Sequence, residues 1–145
     1  MTTLGVARWY VDADTLGLAH VLIRARPDVT FAGDDGTRHT ARWTLPLCPV
    51  QQAGARDTEW IPKVAAAGMA IISRDRAISR RRAEKDAILA AGTQMFTITD
   101  PGQLRVWDLL EIVMHRWRDR ERLRERPGPY IFALTRTRIT EIDLM

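Results

Sequence analysis

The chain has 145 residues, of which 46% are hydrophobic, and its formal net charge is +4. This length and hydrophobic content are enough to bury the core of one domain without disulfide bonds or a structural metal. A single cysteine, Cys48, excludes an internal disulfide framework and fits a reducing compartment. No apolar run approaches the roughly 20 residues of a membrane-spanning helix, and the N-terminus lacks the pattern of a signal peptide, so we expect a cytoplasmic protein without membrane contact.

Periodicity and breaker residues predict alternating strands and helices along the chain. In chain order, we predict a strand over 8–12, a helix over 15–26, a strand over 28–32, a helix from Asp57 or Thr58 to Ala67, a strand over 69–73, a helix over 79–91, a strand over 93–98, a long helix from Asp100 to about 124, and two strands over 130–135 and 138–143. The segment 33–50 stays unassigned, with a short strand or hairpin around 38–45 as one solution.

Polar residues mark the predicted helix starts. Asp14 or Thr15 is a candidate cap for the first helix, and Asp57 for the second. Asp100-Pro101-Gly102-Gln103 combines a cap, an N1 proline and a capping-box glutamine at the start of the long helix.

This alternation predicts a three-layer α/β/α sandwich with a mainly parallel central sheet, followed by a C-terminal helix and β-hairpin. No repeat or linker divides the chain. We therefore expect one domain over 1–145, with a core over about 8–98 and an extension over about 99–145.

Carboxylates follow two of the apolar strands. Asp12 closes Trp9-Tyr10-Val11, and Asp75 follows the run Met69 to Ile72. Ligands of open α/β sheets bind beyond the carboxyl ends of the strands, so both side chains face that crevice. Asp57 and Glu59, in the first turn of the helix before the second strand, are further candidates. Such carboxylates would repel one another unless a hard divalent cation, Mg²⁺ or Mn²⁺, lies between them. The alternative is that Asp14 and Asp57 only cap helices and that Glu59 pairs with Lys63.

The order and spacing of these segments resemble the PIN-like nuclease domains. The resembling segments are Asp12-Ala13-Asp14 after a strand, Asp57-Thr58-Glu59-Trp60-Ile61 opening a helix, and Ile71-Ile72-Ser73-Arg74-Asp75-Arg76. The resemblance covers about residues 8–98 and is nearest to the group typified by VapC-like toxins of bacterial toxin–antitoxin pairs.

The resemblance implies a Mg²⁺- or Mn²⁺-dependent endoribonuclease. Its metal ligands and catalytic residues would be Asp12, Asp75 and one or both of Asp57 and Glu59. Asp14 doubles the first carboxylate, and Ser73 would orient Asp75 or a bound water. A fourth acidic residue has two candidates, Asp86 and Asp100. The implied partners are an RNA substrate and a cognate antitoxin protein, and a homodimer is compatible with the resemblance.

Two arginine-rich stretches differ in their expected roles. The first follows Asp75 directly, where a phosphate backbone would pass, and is predicted to bind RNA; it comprises Arg74, Arg76, Arg80, Arg81 and Arg82. The second, over 116–126, alternates at every second residue with acidic residues between, so we predict a solvated helix end. The five tryptophans are assigned to core packing.

The sequence thus favours a metal-dependent RNA-cleaving toxin. The alternative is a catalytically inactive PIN-like module that binds RNA or a protein partner through its arginine-rich surface. A receiver-like domain, with a strand-end aspartate accepting a phosphoryl group, is less favoured because no matching lysine follows a later strand.

Overall fold

The computed structural model of the chain describes residues 3–36, 43–74, 82–99 and 104–144. Its strands are β1 (Thr3–Leu4), β2 (Trp9–Val11), β3 (Val29–Phe31), β4 (Trp43–Thr44), β5 (Ala70–Arg74), β6 (Gln94–Ile98), β7 (Tyr130–Leu134) and β8 (Ile139–Ile142). Its helices are α1 (Leu16–Ala25), α2 (Asp57–Ala66), α3 (Arg82–Ala91), α4 (Val106–His115) and α5 (Trp117–Arg124).

Six of the described strands form one sheet in the order β3-β2-β5-β6-β7-β8. The first five of these run parallel, and β8 pairs antiparallel with β7 as the predicted hairpin. From β2 the chain first moves outward to β3 and then crosses back to β5 on the other side of β2. The topological switch point therefore lies between β2 and β5, where ligands of doubly wound sheets bind.

Helices cover both faces of this sheet. On one face, α1 and α4 pack over Trp9, Val11 and Phe96. On the other, α2 and α3 pack over Tyr10 and Ile71, among other residues. The predicted three-layer α/β/α sandwich with a mainly parallel sheet is thereby confirmed. Among the described residues, no helix is long and apolar enough to cross a membrane.

The C-terminal segments complete this same sheet and core. β7 lies beside β6 over its full length, and Leu109, Ile112 and Val113 of α4 are buried against α1 and the sheet. The small parallel pair of β1 and β4 lies apart from the main sheet in strand pairing, and a strand near 38–45 is thus found at Trp43–Thr44, while 37–42 lie outside the described residues.

The predicted helix starts are found only in part. Thr15, one of the two predicted caps, is the N-cap residue of α1, although its side chain makes no capping hydrogen bond. The side chain of Asp12 caps the 3-10 turn Ala13–Thr15 that precedes α1. Arg56, not Asp57, is the N-cap residue of α2. Its extended backbone ends the preceding loop, so Asp57 already has helical geometry.

The long C-terminal helix is also different from its prediction. α4 begins at Val106, where Asp108 accepts a hydrogen bond from the backbone N–H of Arg105 at 2.9 Å. The predicted cap at Asp100–Gln103 lies outside the described residues. At Arg116 the backbone leaves helical geometry, with φ −100° and ψ 9°, so α4 and α5 are separate helices. Trp107 is 73% exposed, so its assignment to core packing is wrong.

Candidate active site at the carboxyl edge of the sheet

The carboxyl ends of β2 and β5 lie side by side at the switch point. Val11 is in register with Ile72, and the backbone N–H of Asp12 donates to the carbonyl of Ile72 at 2.8 Å. The next pair in this register is Asp12 and Ser73. Side chains of a parallel pair in register point to the same face, so Asp12 and Ser73 both point toward the α2 and α3 layer.

A tight turn holds the Asp12 carboxylate at this edge. Its Oδ1 accepts a hydrogen bond from the backbone N–H of Ala13 at 2.6 Å, and its own carbonyl accepts from the N–H of Thr15 at 3.0 Å. The same turn brings Asp14 toward the end of β5, where its Oδ1 lies 3.5 Å from the backbone N of Arg74. Two carboxylates thus reach the switch point from β2.

Tyr10 lies on β2, two residues before Asp12, and the nearby carboxylates affect the pKa of its phenol. The residue is 1% exposed. Burial raises the pKa of its phenol far above the ordinary range, and the neighbouring acidic groups, with Asp12 first and then Cys48 and Asp14, raise it further. The carboxylates at the end of β2 are therefore electrostatically coupled to the aromatic layer below them.

Two buried hydroxyls line the same face at this edge. Ser73 and Thr97 are in register on β5 and β6 and are each 0% exposed. Neither hydroxyl oxygen has a hydrogen-bond partner among the described residues. Buried polar groups are normally satisfied, so these oxygens are suited to a water or another ligand at the carboxyl edge.

Asp57 and Glu59 leave the first turn of α2 in different directions. Asp57 is half-buried, and its Oδ1 accepts a hydrogen bond at 3.0 Å from the indole N–H of the buried Trp60. Glu59 is exposed. Of the two predicted carboxylates on this helix, Asp57 is the one joined to the core of the α2 layer.

The remaining predicted site residues divide into described and undescribed positions. The side chain of Arg74 donates from Nη1 to the carbonyl of Leu104 at 3.1 Å, which ties the segment before α4 to the end of β5. Arg82 forms an ion pair with Asp86 at 3.1 Å. The positions outside the described residues are Asp75, Arg76, Arg80, Arg81 and Asp100.

Carboxylate oxygens are the donors that hard divalent cations prefer, and the buried hydroxyls at this edge are compatible with such a centre. Within the described ranges, no group of three His, Cys, Asp or Glu residues is placed to hold a metal ion. The described residues therefore supply carboxylate donors of the kind that Mg²⁺ and Mn²⁺ prefer, but they do not form a complete ligand set by themselves.

No site role is predicted from the sequence for Trp60, Thr97 or Glu84. The sequence pattern predicts core packing for Trp60 and a strand at Thr97. Glu84, in the first turn of α3, is only 3% exposed and lies one turn before the buried Ile88. The Asp-x-x-Trp spacing at positions 57 and 60 was the available signal for Trp60, because residues three apart on a helix are neighbours.

Comparison with known families agrees with this fold. Residues 29–100, just under half of the chain, match the model of a family described as a PIN like domain. PIN-like domains are generally nucleases, so the match supports the nuclease superfamily. It covers Asp57, Glu59 and Asp75 but begins after Asp12. No curated protein and no solved structure matches the chain.

Proposed function

We propose that this protein is a metal-dependent endoribonuclease, the toxin of a type II toxin–antitoxin pair. The observation that carries the proposal is the pairing of β2 with β5, which supports a shared carboxylate site formed by residues from distant parts of the chain. Asp12 follows one strand, and Asp75 follows the other in sequence.

Asp12, Asp57 and Asp75 would hold the cation, Mg²⁺ or Mn²⁺. Glu59 is the less favoured ligand because its side chain is exposed, whereas Asp57 is joined to the buried Trp60. When bound, the ion would activate a water for attack on the phosphodiester and neutralise the charge that develops there. Asp14 and the hydroxyl of Ser73 would orient water at the same edge.

RNA binding is assigned to the arginines that follow β5. Their guanidinium groups fit phosphate oxygens in a bidentate manner, so the backbone of the substrate would pass beside the carboxylates. Arg74 already donates to the carbonyl of Leu104, so it would have to share or exchange that contact. Arg76, Arg80 and Arg81 are the further candidates, with Arg82 beside them. A small antitoxin protein would block this edge.

The test is cleavage of a structured RNA by the purified protein with Mg²⁺ or Mn²⁺, with EDTA, and after Asp12→Asn or Asp75→Asn. We expect each substitution to lower the cleavage rate by roughly three orders of magnitude, because it removes charge that holds the metal. Chelation should abolish cleavage. The unfolding midpoint should stay close to that of the wild type.

The matched control is Glu125→Gln, which removes an exposed carboxylate at the other edge of the sheet and should leave cleavage unchanged. Cleavage that persists with EDTA or in both aspartate variants would contradict the proposal. An intact wild type that binds RNA but cleaves none of it would favour the inactive binding module instead.

A further inference from the structure

A hydrogen bond joins the candidate ligand Asp57 to Trp60, which belongs to the buried core of the α2 layer. The indole N–H donates to Oδ1 of Asp57 at 3.0 Å. Trp60 is only 4% exposed. An indole nitrogen can only donate, so a buried tryptophan needs an acceptor, and here the acceptor is a carboxylate in the first turn of the same helix.

The sheet fixes the direction of this N–H. The ring of Trp60 lies against the ring of Tyr10, with 5.2 Å between centroids and 31° between planes. Tyr10 belongs to the buried strand β2 and is itself 1% exposed. Because both rings are packed, the indole cannot turn away from Asp57 without disturbing the α2 layer.

The Tyr10–Trp60 ring pair is close in sequence to both candidate ligands, Asp12 and Asp57. Asp12 lies two strand residues beyond Tyr10, which raises it by about 6.6 Å along the strand. Asp57 precedes Trp60 by three helical residues, about 4.5 Å along the helix axis. Because α2 runs toward the amino edge before β5, Asp57 is displaced from Trp60 in the same direction as Asp12 is from Tyr10. Both carboxylates therefore leave the Tyr10–Trp60 pair toward the carboxyl edge of the sheet.

We propose that Trp60 is a positioning residue of the metal site: its N–H holds Oδ1 of Asp57 and thereby turns the other oxygen toward the cation. This inference rests on the proposed function. Trp60 itself does not touch the metal or the RNA. Groups that orient metal ligands typically change metal affinity by about 10–100-fold when they are removed.

The experiment measures the dissociation constant of Mn²⁺ for the metal-free protein by the EPR signal of free Mn²⁺, with no RNA present. Trp60→Phe keeps a packed ring and removes the donor. We expect Mn²⁺ binding to weaken by about tenfold. If Trp60→Phe does not fold, an isosteric analogue with sulfur in place of the indole nitrogen, incorporated at position 60, tests the same donor with little change in packing.

A double-variant comparison separates positioning from packing. In an Asp57→Asn background, Trp60→Phe should cause no further loss of Mn²⁺ affinity, because the two residues act as one unit. Glu125→Gln, which removes an exposed carboxylate at the other edge of the sheet, is the control and should leave the affinity unchanged.

Two results would overturn the inference. One is an unchanged Mn²⁺ affinity in the donor-free variants; the other is a loss that is equal with and without Asp57. If either of these results is found while Asp12→Asn still abolishes Mn²⁺ binding, the role of Trp60 is refuted but the nuclease proposal stands. A wild type that binds no Mn²⁺ would refute the nuclease proposal itself.

Discussion

Both edges of the central sheet have charged residues, and the two edges use them in different ways. At the amino edge, Arg120 of α5 packs against aromatic rings and Arg124 donates to backbone carbonyls. At the carboxyl edge, carboxylates and buried hydroxyls collect at the switch point, and Ser73 and Thr97 have no hydroxyl partner among the described residues. The presence of charged residues therefore does not by itself identify the candidate active site. The strand order does, because it places the switch point between β2 and β5.

Arg120 is the centre of the amino edge. Its guanidinium lies between Trp9 and Trp117, at 4.7 Å and 4.0 Å from their ring centroids, and the residue is 0% exposed. Burial, followed by the charge of Arg26, lowers the pKa of Arg120 to about 9. The side chain is therefore still a cation at neutral pH. The predicted solvated helix end is wrong at this position.

A wide groove of about 690 Å³ lies beside α5, at the amino edge and away from the carboxylates. Two of its arginines have acidic partners: Arg26 pairs with Glu121 at 3.4 Å, and Arg122 pairs with Asp119 at 2.9 Å. These paired charges indicate that the groove belongs to the packing of α5.

The largest stability effect should come from Arg120→Ala. The change removes two cation–π contacts and leaves a cavity in the core, so we expect a loss of about 3 kcal/mol in the free energy of unfolding. Denaturant unfolding measures it. The control is Arg118→Ala, an exposed position on the same helix, which should change stability by no more than about 0.5 kcal/mol.

Mn²⁺ affinity of folded Arg120→Ala should equal that of the wild type, because the two edges serve separate purposes. A strong loss of metal affinity in this variant would break the comparison. So would an unfolding free energy no lower than that of Arg118→Ala.

A smaller effect is expected from Arg124→Gln. The side chain of Arg124 joins the starts of two strands, since Nη2 donates to the carbonyls of Arg8 at 3.2 Å and Gly68 at 2.6 Å. Losing these charged hydrogen bonds should cost about 1–2 kcal/mol of unfolding free energy. Denaturant unfolding beside Arg122→Gln, which removes a 77% exposed side chain, gives the reference. Equal stability of the two variants would show that Arg124 does not fasten the edge.

The fold was largely predictable because apolar runs and breaker residues are local signals. The runs before Asp12 and Asp75 identified the two strands of the switch point, and Tyr130 to Leu134 was recognised as a strand. The long C-terminal helix was less predictable, because its division at Arg116 depends on α5 turning across the amino edge. That turn places Arg120 between two tryptophans, a tertiary contact that alternating charges cannot reveal.

The candidate site was predictable only in part. Strand-end position identified Asp12, and helix-start position identified Asp57 and Glu59 together. Only the packed structure separates the last two, because it shows which carboxylate meets the indole of Trp60. The buried hydroxyl of Thr97 depends on the register of β5 with β6, which no local pattern encodes.

The most direct test of the shared carboxylate site is a double-variant cycle on Mn²⁺ affinity with Asp12→Asn, Asp75→Asn and the combined variant. We predict that each single change weakens binding by more than the roughly 10–100-fold expected for an outer-shell partner, and that the combined variant binds no more weakly than the worse single one. Losses that multiply in the combined variant, or single changes that leave Mn²⁺ binding intact, would contradict a single ion held between the ends of β2 and β5.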